Sequence, residues 1–147
     1  MSGNEARDLQ ARINAGIPLS AAMGYRVAVL GDHDIRVEAP LAPNVNVHGT
    51  GFAGSLYALG ILTAWGLCTH LLGRAGLDAD LVVAKATIRY RAPVRGDIVC
   101  HAALDADAAR DYLQRLEQNG RARILVTVAV GDGPEARIDA EMHARLS

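Results

Sequence analysis

The sequence predicts an α+β fold in which a curved antiparallel sheet of six strands wraps around one long central helix. Residues 53–72 contain no Asp, Glu, Lys or Arg, and their apolar side chains cover more than one face of the expected helix. A helix of that kind must be enclosed on most sides. Six other segments alternate apolar and polar side chains, which is typical of strands with one buried face. A sheet with one apolar face can enclose such a helix if it curves.

The composition is that of a single globular domain. The chain has 147 residues, of which 50% are hydrophobic and 21% are charged, so we expect one core built from residues 1–147. The formal net charge of −1 argues against a nucleic-acid partner held by bulk electrostatics. The N-terminal residues include acidic side chains and lack an apolar segment, which favours a cytoplasmic protein without an export signal.

Two other classes are disfavoured by the residues in and around the central helix. Its uncharged length approaches that of a membrane span, but it contains Gly, Ser, Thr and His and stands alone among amphipathic strands. We therefore expect no membrane association. Cys68 and Cys100 belong to no CxxC motif or Cys/His cluster, and the histidines show no metal-ligand spacing. We expect two packed thiols and no metal.

The chain before the central helix is expected to form one short helix and a hairpin of two strands. In the helix, Leu9 and Ile13 are four positions apart, and Gly16 and Pro18 follow it. A hairpin-type turn at residues 31–33 separates the two strands. These elements are expected at residues 5–15 for the helix, 20–24 for a connector, and 25–30 and 34–39 for the strands.

The chain after the central helix is expected to be mostly sheet. In the first strand, basic side chains take one face while Ala84, Ala86 and Ile88 take the other. A minor helix over residues 107–118 lies in one of the connections. The four strands are expected at residues 83–91, 98–104, 122–130 and 137–146.

A segment rich in hydrogen-bonding side chains lies directly before the central helix. If residues 44–50 are extended, side chains two positions apart lie on the same side. The four polar residues that share this side are Asn44, Asn46, His48 and Thr50. Four polar groups would then face one cavity at the mouth of the helix. The alternative is that Asn44 and Asn46, next to Pro43, only make Asx turns.

Two runs of sequence carry a resemblance to a known family. HGTGFAGSLYALGILTAWGL and the later IRYRAPVRGD resemble the YiiD C-terminal type of hotdog-fold thioesterases, which also occurs as the C-terminal half of some bacterial acetyltransferase fusions. The resemblance spans nearly the whole domain. It implies a hotdog fold and a homodimer or dimer of dimers that acts on acyl thioesters of coenzyme A (acyl-CoA) or acyl carrier protein (acyl-ACP). No cofactor is implied beyond the coenzyme A of the substrate.

Thioester hydrolysis fits the order of residues around the start of the helix. Water attack on the carbonyl builds negative charge on its oxygen, and backbone N–H groups at a helix N-terminus are fixed donors aimed at such charge. A histidine can exchange protons near neutral pH and act as the base, and an asparagine can orient the water or the carbonyl. The expected catalytic residues are Asn46, His48 and Ser55, and the expected substrate or oxyanion contacts are Asn44, Thr50, Ala53 and Gly54.

Basic side chains near the end of the first strand after the helix offer contacts for the phosphates of coenzyme A. Arg89, Arg91 and Arg95 are the expected residues, because guanidinium groups bind phosphate through paired hydrogen bonds. A solvated strand face is the alternative interpretation of the same residues.

The helix departs from a pattern common in hotdog thioesterases, a His-Gly-Gly triplet at its start followed by an Asp or Glu one or two turns in. Here the corresponding triplet is Phe-Ala-Gly at residues 52–54, and the helix has no carboxylate. Three alternatives stay open. In the first, His48 and Asn46 carry the chemistry. In the second, an acid such as Asp32 or Asp97 reaches in from a neighbouring strand end or subunit. In the third, the protein binds acyl groups without cleaving them. A hotdog hydratase or dehydratase acting on acyl thioesters is a further alternative.

Overall fold

The computed structural model describes residues 3–147, which form four α-helices and six β-strands. In chain order they are α1 (Gly3–Gly16), α2 (Pro18–Met23), β1 (Arg26–Leu30), β2 (Asp34–Ala39), α3 (Ala53–Arg74), β3 (Ala79–Tyr90), β4 (Ile98–Ala103), α4 (Ala106–Asn119), β5 (Arg121–Val130) and β6 (Ala136–Leu146). A curved antiparallel sheet of six strands packs around the long helix α3. The predicted α+β class and hotdog arrangement are therefore confirmed.

The sheet encloses α3 through one apolar face. Its strand order is β1-β2-β4-β5-β6-β3, and every neighbouring pair is antiparallel. Every second side chain of a strand points to the same face. The fully buried side chains that β5 and β6 contribute in this way include Val126, Val128, Ile138, Ala140 and Met142. β3 lies at one edge of the sheet and pairs only with β6 within residues 3–147.

Helix α3 is buried on all but one of its faces. Leu59, Ala64 and Leu67 are completely buried, whereas a stripe at helical spacing stays half-buried or exposed. The members of this stripe are Tyr57, Ala58, Ile61 and Trp65. By length and composition α3 would suit a membrane span, but 72% of its most apolar window is buried inside the structure. The helix is thus enclosed on most sides, as predicted, and one side remains open.

Two predicted segments differ from the structure. Residues 20–23 of the expected connector belong instead to helix α2, and Gly24 is its C-cap. Pro18 is the first residue of this helix, where a missing N–H is harmless and the fixed φ suits a helix. In β3, a register shift between Val83 and Lys85 marks a bulge. The bulge moves Ala84 to the exposed side, whereas strict alternation predicted it on the buried side.

Helix α3 approaches β6 closely at Gly60. A Cβ atom added there would lie 2.2 Å from Cδ1 of Ile138, whereas one added at Gly73 of the same helix would meet nothing within 4 Å. Both Gly60→Ala and Gly73→Ala gain helix propensity, about 1 kcal/mol each. We therefore expect Gly60→Ala to be less stable than Gly73→Ala by the overpacking cost of about 1–3 kcal/mol. Urea unfolding followed by circular dichroism measures this difference, and equal stability of the two variants would contradict the close contact.

Candidate active site

The segment before α3 is a compact loop, so the condition that residues 44–50 are extended is not met. The backbone N–H of Asn46 donates to the carbonyl oxygen of Thr50 over 2.7 Å, and the N–H of Gly49 donates to the carbonyl oxygen of Asn46 over 3.1 Å. Gly49 has a φ of 78°, in the left-handed region that favours glycine. A closed loop has no period of two, so the four polar side chains do not share one face.

The side chain of Asn46 holds this loop together. Its Oδ1 accepts from the backbone N–H groups of His48 at 2.8 Å and Thr50 at 3.1 Å. Its Nδ2 donates to the hydroxyl of Thr50 at 2.9 Å and to the carbonyl oxygen of Gly51 at 3.3 Å. An asparagine that bonds the backbone two residues ahead forms an Asx turn, which competes with extended structure. The side chains of Asn46 and Thr50 are therefore engaged within the loop.

His48 lies at the exposed tip of the loop. Its backbone N–H is bonded to Asn46, but its ring makes no hydrogen bond or ion pair with any residue from 3 to 147. The imidazole is thus accessible to water and to a ligand, and a nitrogen without a protein partner can accept a proton from either.

Asn44 is the buried first residue of the loop. It is 1% exposed, and its Nδ2 donates to the carbonyl oxygens of Met23 and Pro40, each over 2.8 Å. Its own carbonyl oxygen accepts from the backbone N–H of Phe52 over 2.7 Å. Asn44 thereby connects the ends of α2 and β2 to the residue that precedes α3.

Helix α3 begins with backbone donors at an exposed position. Phe52 is the N-cap residue, its carbonyl oxygen accepts from the N–H of Leu56 over 3.0 Å, and no side chain caps the first turn. The N–H groups of Ala53, Gly54 and Ser55 have no acceptor within the part of the chain that the structure describes. Three donors at the positive end of a 22-residue helix therefore remain available to a ligand oxygen.

Glycine at position 54 allows close contact between an aromatic ring and the start of the helix. A Cβ atom added to Gly54 would lie 2.6 Å from the ring of Phe52. Both residues are exposed, and the ring of Phe52 lies beside Gly54 in the first turn of the helix. The sequence predicted no role for Phe52, since the order of residues does not show which way the ring folds.

Tyr90, at the end of β3, also reaches the start of α3, although the sequence predicted no role for it. Its hydroxyl donates to the carbonyl oxygen of Ala53 over 2.8 Å. The pKa of Tyr90 is raised, mainly because the hydroxyl is partly removed from water and also because Tyr57 is close. Strand alternation can place Tyr90 on the inner side of the sheet, but only the curvature of the sheet brings that side to the first turn of α3.

Each of the two acids suggested by the sequence accepts a hydrogen bond from another part of the chain. Oδ1 of Asp32 accepts from Nη1 of Arg74 over 2.8 Å, in the last turn of α3, which is the opposite end of the helix from Ala53. Oδ1 of Asp97 accepts from the backbone N–H of Leu41 over 3.1 Å. Asp32 of the same subunit therefore does not reach the start of the helix.

The two cysteines are not candidates for nucleophilic attack. Both are free and buried. Burial raises the pKa of the Cys68 and Cys100 thiols to about 12. The thiolate is the reactive form of cysteine, so such thiols are unreactive at neutral pH. They are packed thiols, as the sequence predicted.

Two of the three arginines expected to bind phosphate lie together. Arg89 and Arg91 line a surface cavity of about 350 Å³, which Arg137 and Asp139 of β6 also line. Arg95 is exposed on the loop after β3 and does not line this cavity. Arg137 comes from a strand that the sequence did not connect with the candidate site.

A cavity of about 710 Å³ lies at the other end of α3, between that end and the beginning of β3. Trp65, Leu72 and Leu81 supply apolar walls, and Asp78 and Asp80 lie at its margin. This larger cavity and the donors at the start of α3 are therefore separate within one chain.

Comparison with known proteins identifies the family. A solved structure of a “putative thioesterase” from Shewanella oneidensis is 30% identical, with 99% of this chain and 100% of that chain covered and a TM-score of 0.89. A Pseudomonas aeruginosa protein of unknown function, described as a probable thioesterase, is 26% identical, with 100% and 97% covered and a TM-score of 0.83. A protein of unknown function from Chlorobaculum tepidum TLS, 23% identical with 97% and 94% covered, has the same fold with a TM-score of 0.92. The family described as “Putative thioesterase (yiiD_Cterm)” matches residues 6–141. Because that match covers nearly the whole chain, the protein belongs to this thioesterase family.

Proposed function

We propose that the protein hydrolyses acyl thioesters, carried by coenzyme A or by acyl carrier protein, at the N-terminus of α3. The observation that carries the proposal is the set of available N–H groups of Ala53, Gly54 and Ser55 at an exposed helix start without a side-chain cap. The tetrahedral intermediate of thioester hydrolysis has a negative oxygen, and such donors stabilise it. Family membership supports the same class of reaction.

His48 is the proposed general base. Its ring takes a proton from the attacking water as the water oxygen bonds to the carbonyl carbon. The C–S bond then breaks, the carboxylic acid forms, and the departing thiolate receives the proton from His48. Asn46 acts as a positioning residue, because its side chain fixes the backbone of His48 and Thr50. Ser55 is half-buried in the first turn, and its hydroxyl is the proposed contact for the water or the carbonyl.

Hydrolysis is tested with purified protein and acyl-CoA substrates from short to long chains, with a thiol reagent detecting the released coenzyme A. Cys68 and Cys100 are buried, so the folded protein itself contributes little signal. We expect thiol release with at least one chain length. Addition of water to an enoyl-CoA without thiol release would instead identify a hydratase. Calorimetric binding of acyl-CoA without any product would identify a binding module.

We propose that the protein assembles through β3 as a homodimer or dimer of dimers. β3 is a 12-residue strand at the edge of the sheet, and a long edge strand is a template for pairing with another chain. Its inner side chains, such as Leu81 and Ile88, are only half-buried, as is the stripe of α3 that includes Ile61 and Trp65. A second copy paired antiparallel along β3 would cover both surfaces.

Such pairing would bring the cavity of about 710 Å³ in one copy close to the N–H donors at the start of α3 in the other. In an antiparallel pair, the Tyr90 end of one β3 lies beside the Ala79 end of the other. Tyr90 contacts the start of α3 in its own copy, whereas residues 79–82 line the cavity of about 710 Å³. The cavity of one copy would therefore lie near the N–H donors of the other copy. The apolar walls of that cavity could then hold the acyl chain of a thioester bound at those donors.

Assembly is tested by light scattering at micromolar concentration, where we expect the mass of two or four chains. Ile61→Glu is expected to give monomers, because it places a charge on the half-buried stripe of α3. Leu125→Glu is the matched control, since Leu125 is 56% exposed on the opposite face of the sheet. A wild-type monomer, or assembly that survives Ile61→Glu, would contradict the proposed interface.

A further inference from the structure

Two arginines face each other across β3 and β6. Arg89 and Arg137 are directly opposite in the antiparallel register, and both are exposed. Like charges directly opposite each other destabilise a sheet. Arg91, just beyond the end of β3, lines the same cavity of about 350 Å³. Three positive side chains therefore surround a space in which a bound anion would relieve their repulsion.

The carboxylate in this cavity is already used by neighbouring donors. Oδ1 of Asp139 accepts from the hydroxyl of Thr127 at 2.8 Å and from Nε and Nη2 of Arg137 at 3.3 and 3.2 Å. These hydrogen bonds lower the pKa of Asp139, the bond from Thr127 most of all. They orient the guanidinium of Arg137 and leave its Nη1 available. Arg89 and Arg91 have no side-chain hydrogen bond or ion pair to any residue between 3 and 147.

The arginine cavity is connected to the proposed reaction site through Tyr90. Arg89 and Arg91 flank Tyr90 in the chain, and successive strand side chains point to opposite faces. The arginines therefore lie on the outer face while the Tyr90 hydroxyl bonds the carbonyl oxygen of Ala53. The arginine cavity and the start of α3 therefore lie on the two sides of the same strand end, next to Tyr90.

We infer that Arg89, Arg91 and Arg137 form a phosphate site for the nucleotide end of coenzyme A, so that acyl-CoA is the preferred substrate. This rests on the proposed function, since it names the carrier that the thioesterase uses. Coenzyme A has a diphosphate and a 3′-phosphate, whereas the prosthetic group of an acyl carrier protein has a single phosphodiester. A cavity with three guanidinium groups and one ionised carboxylate keeps an excess of positive charge, which suits the more highly charged ligand.

The test replaces Arg137 by glutamine, which keeps the length of the side chain and removes its charge. Arg137→Gln is expected to raise KM for acyl-CoA about tenfold with kcat unchanged, because it removes charge-assisted hydrogen bonds to a group remote from the reacting carbonyl. KM for an acyl thioester of N-acetylcysteamine, which has no phosphate, should not change. Arg121→Gln is the matched control, because Arg121 faces Arg145 at the far end of the same sheet face.

Each outcome bears on the inference. An unchanged KM for acyl-CoA in Arg137→Gln, or an equal rise in Arg121→Gln, would overturn the site. A rise in KM confined to acyl-ACP would overturn coenzyme A as the carrier. Calorimetry with free coenzyme A measures binding at the phosphate site independently of thioester hydrolysis. Binding weakened about tenfold by Arg137→Gln supports the site even if no thioester is cleaved, and binding insensitive to the change overturns it.

Discussion

Replacing Ala53 by proline is expected to lower kcat/KM for acyl-CoA by about 100-fold or more while leaving the fold intact. Proline removes one of the three backbone N–H groups that are available at the start of α3. The first helical position tolerates proline, whose fixed φ suits the helix. The preceding residue, Phe52, has φ of −67° and ψ of 130°, the extended geometry that a residue before proline prefers. Steady-state thiol release measures the effect.

The control for Ala53→Pro is the same substitution at the start of helix α4. Ala106 is the first residue of α4, and the preceding Asp105 has φ of −60° and ψ of 143°. Ala106→Pro therefore makes the same chemical change in the same backbone setting, and it should leave kcat/KM unchanged. Unfolding in urea should show the two variants to be similarly stable. Wild-type activity in Ala53→Pro would show that the N–H of residue 53 does not stabilise the oxyanion.

Replacing His48 by alanine is expected to lower kcat by about 100- to 10,000-fold, the range typical of a lost general base. The effect on stability should be small, because the ring is exposed and makes no hydrogen bond to the residues that the structure describes. Steady-state thiol release measures the fall in kcat, and unfolding in urea measures the stability of the variant.

His101→Ala is the matched control for His48, since His101 is an exposed histidine on β4. It should retain the wild-type rate. If His48→Ala also retained that rate, the base would have to come from another group, such as Asp97 or a residue of a second copy. That result would leave the donors at the start of α3 as a binding site without its proposed proton acceptor.

The secondary structure of this protein was largely predictable, because hydrophobic periodicity is a local property of the chain. The uncharged segment that begins at residue 53 can bury its apolar side chains only if its helix is enclosed by other elements. The alternation in β5 and β6 indicates that each of these strands has one buried face. The side on which Ala84 lies was predicted wrongly, because a bulge depends on how β3 pairs with β6. That pairing is not visible within the strand itself.

The candidate site was only partly predictable for a related reason. The order of residues placed the small residues Ala53 and Gly54 at the start of the helix, which the structure confirms. The conformation of the loop before it stayed open, because Asn46 fits either an alternating strand or an Asx turn, and the choice depends on bonds to Thr50 that only the folded loop reveals. Arg137 and Tyr90 join the site through strand pairing and sheet curvature, so no local pattern identifies them.

The buried amide of Asn44 has a consequence for how this protein can change over evolution. Because Asn44 anchors the chain to Met23 and Pro40 from inside the core, the position of the loop does not depend on the side chains at its tip. Val47, at that tip, is 96% exposed. Selection can therefore vary residue 47, and with it the exposed surface next to the proposed base His48, at little risk to folding.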